Sequence, residues 1–204
     1  MSEKTMITGF VLAGGRSSRM GREKAALLID GRPMIEHVIE RLRPCVSRLC
    51  VIAHPCNLDA FNDLDVDAIL TDIAPSRGPL MGVYTGLMHT ATALNVFAAC
   101  DMPGIEPALI DRLLAAWQPG CEAIAGTGPE GRPYPLPMLC HVSARRTVGA
   151  LLDARREALH ELLSLPTGRA VGLQETECRR WFVNVNTLDD YATLCNEPAI
   201  PFRR

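Results

Sequence analysis

Apolar residues recur along this chain in two rhythms. Short, nearly unbroken apolar runs occur at 6–12, 49–53, 66–70, 95–100 and 121–125, the pattern of strands covered on both faces. Between them the spacing changes to that of helices. Ile35, Val38, Ile39 and Leu42 follow Pro33 and stop at Pro44, and Leu80, Val83 and Leu87 continue into Ala91 and Leu94. Leu109, Leu113 and Trp117 then lie on one side of a third helix, ended by Pro119-Gly120. Strand, helix, strand at this rhythm predicts an α/β fold of one domain, Rossmann-like, with a mostly parallel sheet flanked by helices.

The pattern loosens afterwards. A short run at 27–29 ends in an Asp30-Gly31 turn, and 72–79 is a Pro/Gly loop too irregular for an element. Residues 126–137, with prolines at 129, 133, 135 and 137, read as a loop returning the chain to an added strand at 138–140. Residues 142–152 and 158–165 read as helices, 168–173 and 181–185 as strand-like, and 188–194 as a closing helix before a loosely held tail from Pro198. No internal repeat, low-complexity segment or linker divides the chain.

Composition narrows the classes. A chain of 204 residues, 48% hydrophobic and 22% charged, is long enough for one domain with a substantial core. The net charge of -2 leaves no basic excess for non-specific nucleic-acid binding. Eight cysteines include no C-x-x-C pair, which argues against a structural zinc site. Several stand in apolar surroundings, as in Leu49-Cys50-Val51 and Leu139-Cys140, and read as small core hydrophobes. No signal peptide and no apolar run of membrane-spanning length are evident, so the expected location is cytoplasmic, with no membrane partner.

Candidate chemistry concentrates where the first strand stops. Phe10-Val11-Leu12 breaks into Ala13-Gly14-Gly15, followed by Arg16, Ser17, Ser18, Arg19, Gly21, Arg22 and Lys24. Strand followed by a basic, glycine-rich loop is the order in which an α/β protein presents backbone N–H groups and positive charge to phosphate. It is not a P-loop, because Lys24 comes three residues after Gly21 with no Ser or Thr behind it. Nor does Gly14-Gly15 followed by Gly21 give the G-x-G-x-x-G of dinucleotide-binding folds. Two carboxylates also fall at predicted strand ends. Asp72 precedes Gly78-Pro79-Leu80-Met81-Gly82 and is equally a common turn former. Asp101, before Met102-Pro103, fits either a hard-cation ligand or the N-cap of the helix beginning near Glu106. The nearby glycine loop and Gly78-Pro79-Leu80 favour the cation.

Residues 12–24 match L-A-G-G-x-S-x-R-M-G-x-[DE]-K, and the stretch resembles the signature loop of the MobA-like nucleotidyltransferases, the molybdenum cofactor guanylyltransferases. G-P-L-x-G at 78–82, D-x-P at 101–103, R-P-x-P-x-x-x-L at 132–139 and N-V-N-T at 184–187 follow in the same order. The resemblance implies a nucleotide-diphospho-sugar transferase-like fold, with 6–125 as nucleotide-binding part and 126–197 as acceptor-binding part. It implies GMP transfer from GTP to the phosphate of molybdopterin. Leu12, Ala13, Gly14 and Gly15 would then line guanine and ribose, with Gly78, Pro79 and Leu80 beside them. Lys24 and Asp72 would meet the nucleotide, and Asp101 would hold Mg2+. Asn184 and Asn186 would lie near the pterin-side substrate, and molybdoenzyme-maturation proteins would receive the product.

The chemistry this implies follows from charge. A phosphate oxygen attacks the α-phosphorus of GTP and pyrophosphate leaves, so the useful catalysts are cations and N–H dipoles. Lys24 and Arg19 would neutralise the departing phosphates, with Asp101 as the third catalytic residue through its metal. The phosphate nucleophile is already ionised at pH 7 and needs no general base. Two positions depart from the family pattern: Ile52-Ala53-His54 stands where an asparagine often ends the second strand, and Glu23 replaces the usual Asp. Rival readings are a cytidylyltransferase, a cobinamide-phosphate guanylyltransferase, and a non-catalytic GTP-binding protein that delivers cofactor.

Overall fold

The computed structural model describes residues 6–14, 24–75, 77–182 and 190. Along them the chain runs β1 (Ile7–Ala13), β2 (Leu28–Ile29), β3 (Arg32–Pro33), α1 (Met34–Leu42), β4 (Arg48–Ala53), β5 (Ala68–Thr71), α2 (Gly78–His89), β6 (Leu94–Ala99) and α3 (Pro107–Ala115). It continues through β7 (Ala123–Thr127), β8 (Pro133–His141), α4 (Ala144–Asp153), α5 (Leu159–Leu163), β9 (Gly168–Gly172) and α6 (Glu175–Trp181). Short 3-10 turns fall at Lys24–Ala26, Arg43–Cys45, Pro55–Phe61 and Pro129–Gly131.

Seven strands form one sheet in the order β5-β4-β1-β6-β8-β7-β9, and β2 pairs with β3 as a separate hairpin. β1 is parallel to both β4 and β6, β4 to β5, and β7 to β9, whereas β8 is antiparallel to its neighbours β6 and β7. The sheet is therefore mostly parallel, as the apolar runs predict, and β8 is its one reversed strand among those described. Order reverses at β1. The chain first steps outward to β4 and β5, then returns to lay β6 on the other side of β1.

Alternation along the strands sorts side chains into two layers. Ile7, Val11 and Ala13 of β1, Leu49, Val51 and Ala53 of β4, and Val96 and Ala98 of β6 face a core shared with Ile35, Val38 and Leu42 of α1 and Leu109, Ile110 and Leu113 of α3. Phe10, Cys50, Ile52 and Phe97 point the other way, onto Leu80, Val83 and Leu87 of α2. Val148 and Leu151 of α4 close the same layer. Phe10 and Phe97 stack with centroids 5.0 Å apart. A Cβ at Gly86 would lie 2.5 Å from the Phe97 ring, so only glycine lets α2 approach the sheet this closely.

Where the sequence pattern misleads, the reasons are local. The α2 stripe does not continue to Leu94, because α2 ends at His89 and Leu94 opens β6. Thr90 supplies the stop: its hydroxyl accepts from the Thr92 N–H at 3.1 Å and donates to Asn95 Oδ1 at 2.6 Å, bonds that compete with another helical turn. The expected Pro-rich loop at 126–137 is mostly strand, since β7 runs to Thr127 and β8 starts at Pro133. The ladder steps from Ala125↔Met138 to Gly126↔Tyr134, so residues 135–137 bulge out and their prolines owe it no N–H. Trp181 does not begin a strand but closes α6, whose start carries a capping box between Gln174 and Glu177. The rest of the 181–185 strand beyond Phe182, the helix at 188–194 apart from Asp190, and the tail fall outside the described residues.

No two of the seven cysteines among the described residues form a disulfide with each other. Burial pushes the Cys45 thiol up to about 11, and the Cys50, Cys121 and Cys140 thiols upward as well, which keeps them protonated and inert. No helix among the described residues is long and apolar enough to cross a membrane.

Candidate active site

Parallel pairing brings the strand ends to one level. Ala13 of β1 is in register with Ala53 of β4, and Ala53 with Thr71 of β5. Leu12 is in register with Ala99 of β6, and the Cys100 N–H donates to the Leu12 carbonyl at 3.1 Å. The next residues outward are Gly14, His54, Asp72 and, two beyond Ala99, Asp101. The carboxyl edge beside a reversal of strand order is where open α/β sheets bind ligands. Gly14 and Asp101 flank that reversal.

Asp72 is buried, 7% exposed, and its N–H donates to the Ala53 carbonyl at 2.9 Å. The Thr85 hydroxyl, also buried, donates to Asp72 Oδ1 at 3.1 Å. Asp72 Oδ2 faces the first loop: a Cβ placed on Gly14 would lie 3.5 Å from it, in ordinary contact. The acidic strand tip and the start of the glycine loop are therefore direct neighbours. Leu12, half-buried, points to the α2 side, where a Cβ on Gly82 would come 3.0 Å from its Cδ2. Ala13 is buried in the opposite core.

Gly78 and Pro79 are exposed at the start of α2, while Leu80 is fully buried in the core beneath it. The need for glycine at 78 comes from the fold: its φ is +71°, and a Cβ would stand 2.9 Å from the Glu157 carbonyl. The Leu80 N–H donates to the same carbonyl, and Arg77 Nε to Glu157 Oε1 at 3.0 Å. This segment thus docks α2 onto the turn between α4 and α5, and what it can offer a ligand is an exposed rim rather than the Leu80 side chain.

Asp101 is half-buried in the turn that leaves β6. The alternative reading of it as helix cap does not hold, because the N-cap of α3 is Glu106, five residues on. Residues 102–106 are buried throughout, and the Met102 N–H bonds back to the Ala99 carbonyl and that of Ile105 to the Met102 carbonyl. Glu106 does not cap with its side chain. Its carboxylate accepts from Arg180 Nε at 2.7 Å and Trp181 Nε1 at 3.3 Å, tying the Asp101 turn to the end of α6. Neither Thr85 nor Glu106 stands out in the sequence. Glu-Pro at a helix start marks a boundary, and a lone threonine in an apolar stripe is a weak hint of a buried polar contact.

Lys24 opens the 3-10 turn that ends at Ala26, and its neighbour Ala25 is buried against the face formed by α1 and α3. Its side chain, and Gly15, Arg19, Asn184 and Asn186 entirely, lie outside the described residues. His54 is half-buried and caps the following 3-10 turn, its Nδ1 accepting from the Cys56 N–H at 3.2 Å. That bond leaves Nε2 as the ring's N–H donor at this edge. Among the described residues no three His, Cys, Asp or Glu side chains cluster as a metal cage. A single strand-end carboxylate suits a hard cation that brings phosphate oxygens as its other ligands.

Comparison with known proteins gives the family. The model of the MobA-like NTP transferase domain matches residues 9–167. A molybdenum cofactor guanylyltransferase of Serratia proteamaculans is 34% identical over 90% of this chain and 91% of its own. The solved molybdopterin-guanine dinucleotide biosynthesis protein A of Archaeoglobus fulgidus superposes with a TM-score of 0.74 at 22% identity, over 92% of this chain and 96% of that one. A manganese complex of a Mycobacterium tuberculosis protein has a TM-score of 0.67 at 20% identity, covering 95% and 99% of the two chains. These last two show a shared fold; the family model, over residues 9–167, and the Serratia relative show that the chain belongs to the MobA-like NTP transferase family.

Proposed function

We infer that the chain is a molybdenum cofactor guanylyltransferase, moving GMP from GTP to the phosphate of molybdopterin with release of pyrophosphate. Family membership supports the nucleotidyl transfer, and the Serratia relative's name supports guanine and the molybdenum cofactor. The observation that carries the assignment to this site is the alignment of Gly14, Asp72 and Asp101 along one strand edge at the reversal of sheet order, with Gly14 beside Asp72 and Asp101 following the strand next to β1. Leu12, Ala13, Gly14 and Gly15 line the guanosine, and Asp72 accepts a hydrogen bond from it. The exposed rim at Gly78 and Pro79, backed by Leu80, forms a wall of the same crevice. Residues 6–125 serve the nucleotide and 126–197 the acceptor, which Asn184 and Asn186 contact.

In-line attack by the acceptor phosphate forms a new bond to the α-phosphorus as the bond to the β-phosphate oxygen breaks. Negative charge gathers on the departing pyrophosphate. Lys24 and Arg19 neutralise it, and Asp101 holds the divalent cation. Mg2+ fits the oxygen donors, and when bound it polarises the α-phosphate. No residue is asked to remove a proton, since the attacking phosphate is ionised at neutral pH. The reaction belongs in the cytoplasm, where GTP is available, with the product passing to molybdoenzyme-maturation proteins.

The test is pyrophosphate release from GTP, molybdopterin and Mg2+. Stoichiometric release with formation of the guanine dinucleotide is expected, and replacement of GTP by ATP or CTP should stop it. GTP binding with no pyrophosphate would show a carrier rather than an enzyme, and equal use of all three nucleotides would remove the guanine assignment.

A further inference from the structure

Thr85 takes no part in the reaction as described. It lies in the middle of α2, fully buried, on a helix whose inward positions are otherwise apolar. Its hydroxyl makes two bonds to the turn after β5. Oγ1 accepts from the Ile73 N–H at 3.2 Å and lies 3.1 Å from Asp72 Oδ1. An amide N–H can only donate, so the single hydroxyl proton goes to the carboxylate. The bond therefore has a fixed sense, and it occupies Oδ1.

That leaves Oδ2, which lies toward Gly14, 3.5 Å from where a Cβ on that residue would stand. Asp72 is itself 7% exposed, so its carboxylate has little freedom to turn elsewhere. We propose that Thr85 is a positioning residue for nucleotide binding: it holds Asp72 so that Oδ2 faces the Gly14 side of the crevice as acceptor for one hydrogen-bond donor of the nucleoside. The donor is a base N–H or a ribose hydroxyl. This rests on the reading of Asp72 as a nucleotide contact and extends it to the residue that aims the contact. Threonine suits the position because a methyl group is at home in a fully buried site while the hydroxyl reaches the turn. Valine has nearly the same shape without the proton.

The experiment compares GTP affinity in Thr85→Val, Thr85→Ser and Asp72→Asn by isothermal titration, with the KM for molybdopterin measured alongside. Thr85→Val should weaken GTP binding about tenfold, the usual weight of a misdirected charged hydrogen bond. The acceptor KM should stay within about twofold, and serine should restore affinity. Where Thr85→Val does not fold, Thr85→Ala takes its place. Analogues each lacking one donor (2′-deoxy-GTP, 3′-deoxy-GTP, ITP and 1-methyl-GTP) then identify the partner group. The analogue that binds weakly to the unmodified protein should lose that disadvantage in Thr85→Val, as a shared interaction requires. Three outcomes overturn the proposal: unchanged GTP affinity in a folded Thr85→Val protein, equal loss for GTP and acceptor, or no analogue responding to the substitution. If Asp72→Asn also leaves GTP binding unchanged, the nucleotide role of Asp72 itself is wrong. If Asp72→Asn weakens binding and Thr85→Val does not, only the positioning role fails.

Discussion

The two halves of the sheet share the same apolar layers and differ in regularity and in the polar contacts added to them. From β5 to β6 the strands are parallel, their registers unbroken, and their side chains buried in two apolar layers. From β8 to β9 one strand is reversed, three residues bulge from its ladder, and α6, which buries only Cys178 and Trp181, is also held by directional polar contacts. These include Glu106 with Arg180 and Trp181, and Arg112 with Glu177 and the Gly172 carbonyl. Apolar burial is non-directional and spread over many contacts, whereas a polar clasp depends on a few atoms. The regular half can thus level four strand ends and leave the residues just beyond them for chemistry. The second half joins that platform through the β6–β8 ladder and the same two apolar layers, and adds point contacts, one of which reaches the turn carrying Asp101.

If the regular half supplies the reacting edge, its strand-end carboxylate should matter far more to turnover than to folding. Asp101→Ala is expected to lower pyrophosphate release roughly a thousandfold, the scale of losing a main electrostatic contact in the transition state, with the melting temperature nearly unchanged. Near-normal turnover would detach the chemistry from this edge. The converse holds beneath it. Phe97→Ala removes a fully buried ring stacked on Phe10 and should cost about 3–5 kcal/mol in urea unfolding. A smaller loss would mean that the layers tolerate a cavity and are less rigid than the unbroken registers imply.

Breaking the clasp should hurt less and more locally. Glu106→Ala leaves the Trp181 indole N–H without its acceptor and the Arg180 guanidinium without its partner, at a cost of about 1–3 kcal/mol. Hydrogen exchange should speed up in α6 and around α3, with β1, β4 and β6 still protected. Uniform loss of protection would show that the halves do not differ in the way they are held.

The same contrast decides what could be read from the chain. Residues 49–53 and 95–100 announce strands because their runs are apolar on both faces, and the glycines, Asp72 and Asp101 announce a site because they follow such runs directly. The β8 prolines mislead, since nothing local reveals that residues 135–137 step out of the ladder. α6 is hidden for another reason: in Glu175–Trp181 only Cys178 and Trp181 are buried, so its inward stripe is two residues wide, and its capping box and partners far along the chain add to that small apolar contact. Thr85 and Glu106 are illegible because a buried polar contact depends on which helix face meets which strand end, a property of the assembled layers.

The regular half also has a polar fastening, and pH should expose how little it contributes. Asp67 Oδ2 accepts from the Leu49 N–H at 2.7 Å and from Arg43 Nη1 at 2.8 Å, pinning the entry to β5 against β4. These contacts, the backbone bond first, hold its carboxyl below the usual carboxylate range. A depressed folded-state pKa adds stability that is complete above the unfolded-state value, about 3.9, and is lost as the pH falls through the folded one. The stability difference between the unmodified protein and Asp67→Asn should therefore be constant from neutral pH to about 5 and shrink below about 4. Its size should be small, because the Asp67 side chain is 42% exposed and water screens the pair. Urea midpoints at pH 7, 5 and 3 measure it. A large difference that persisted at pH 3 would mean that the regular half, too, hangs on a few polar atoms, and the contrast between the halves would lose its physical basis.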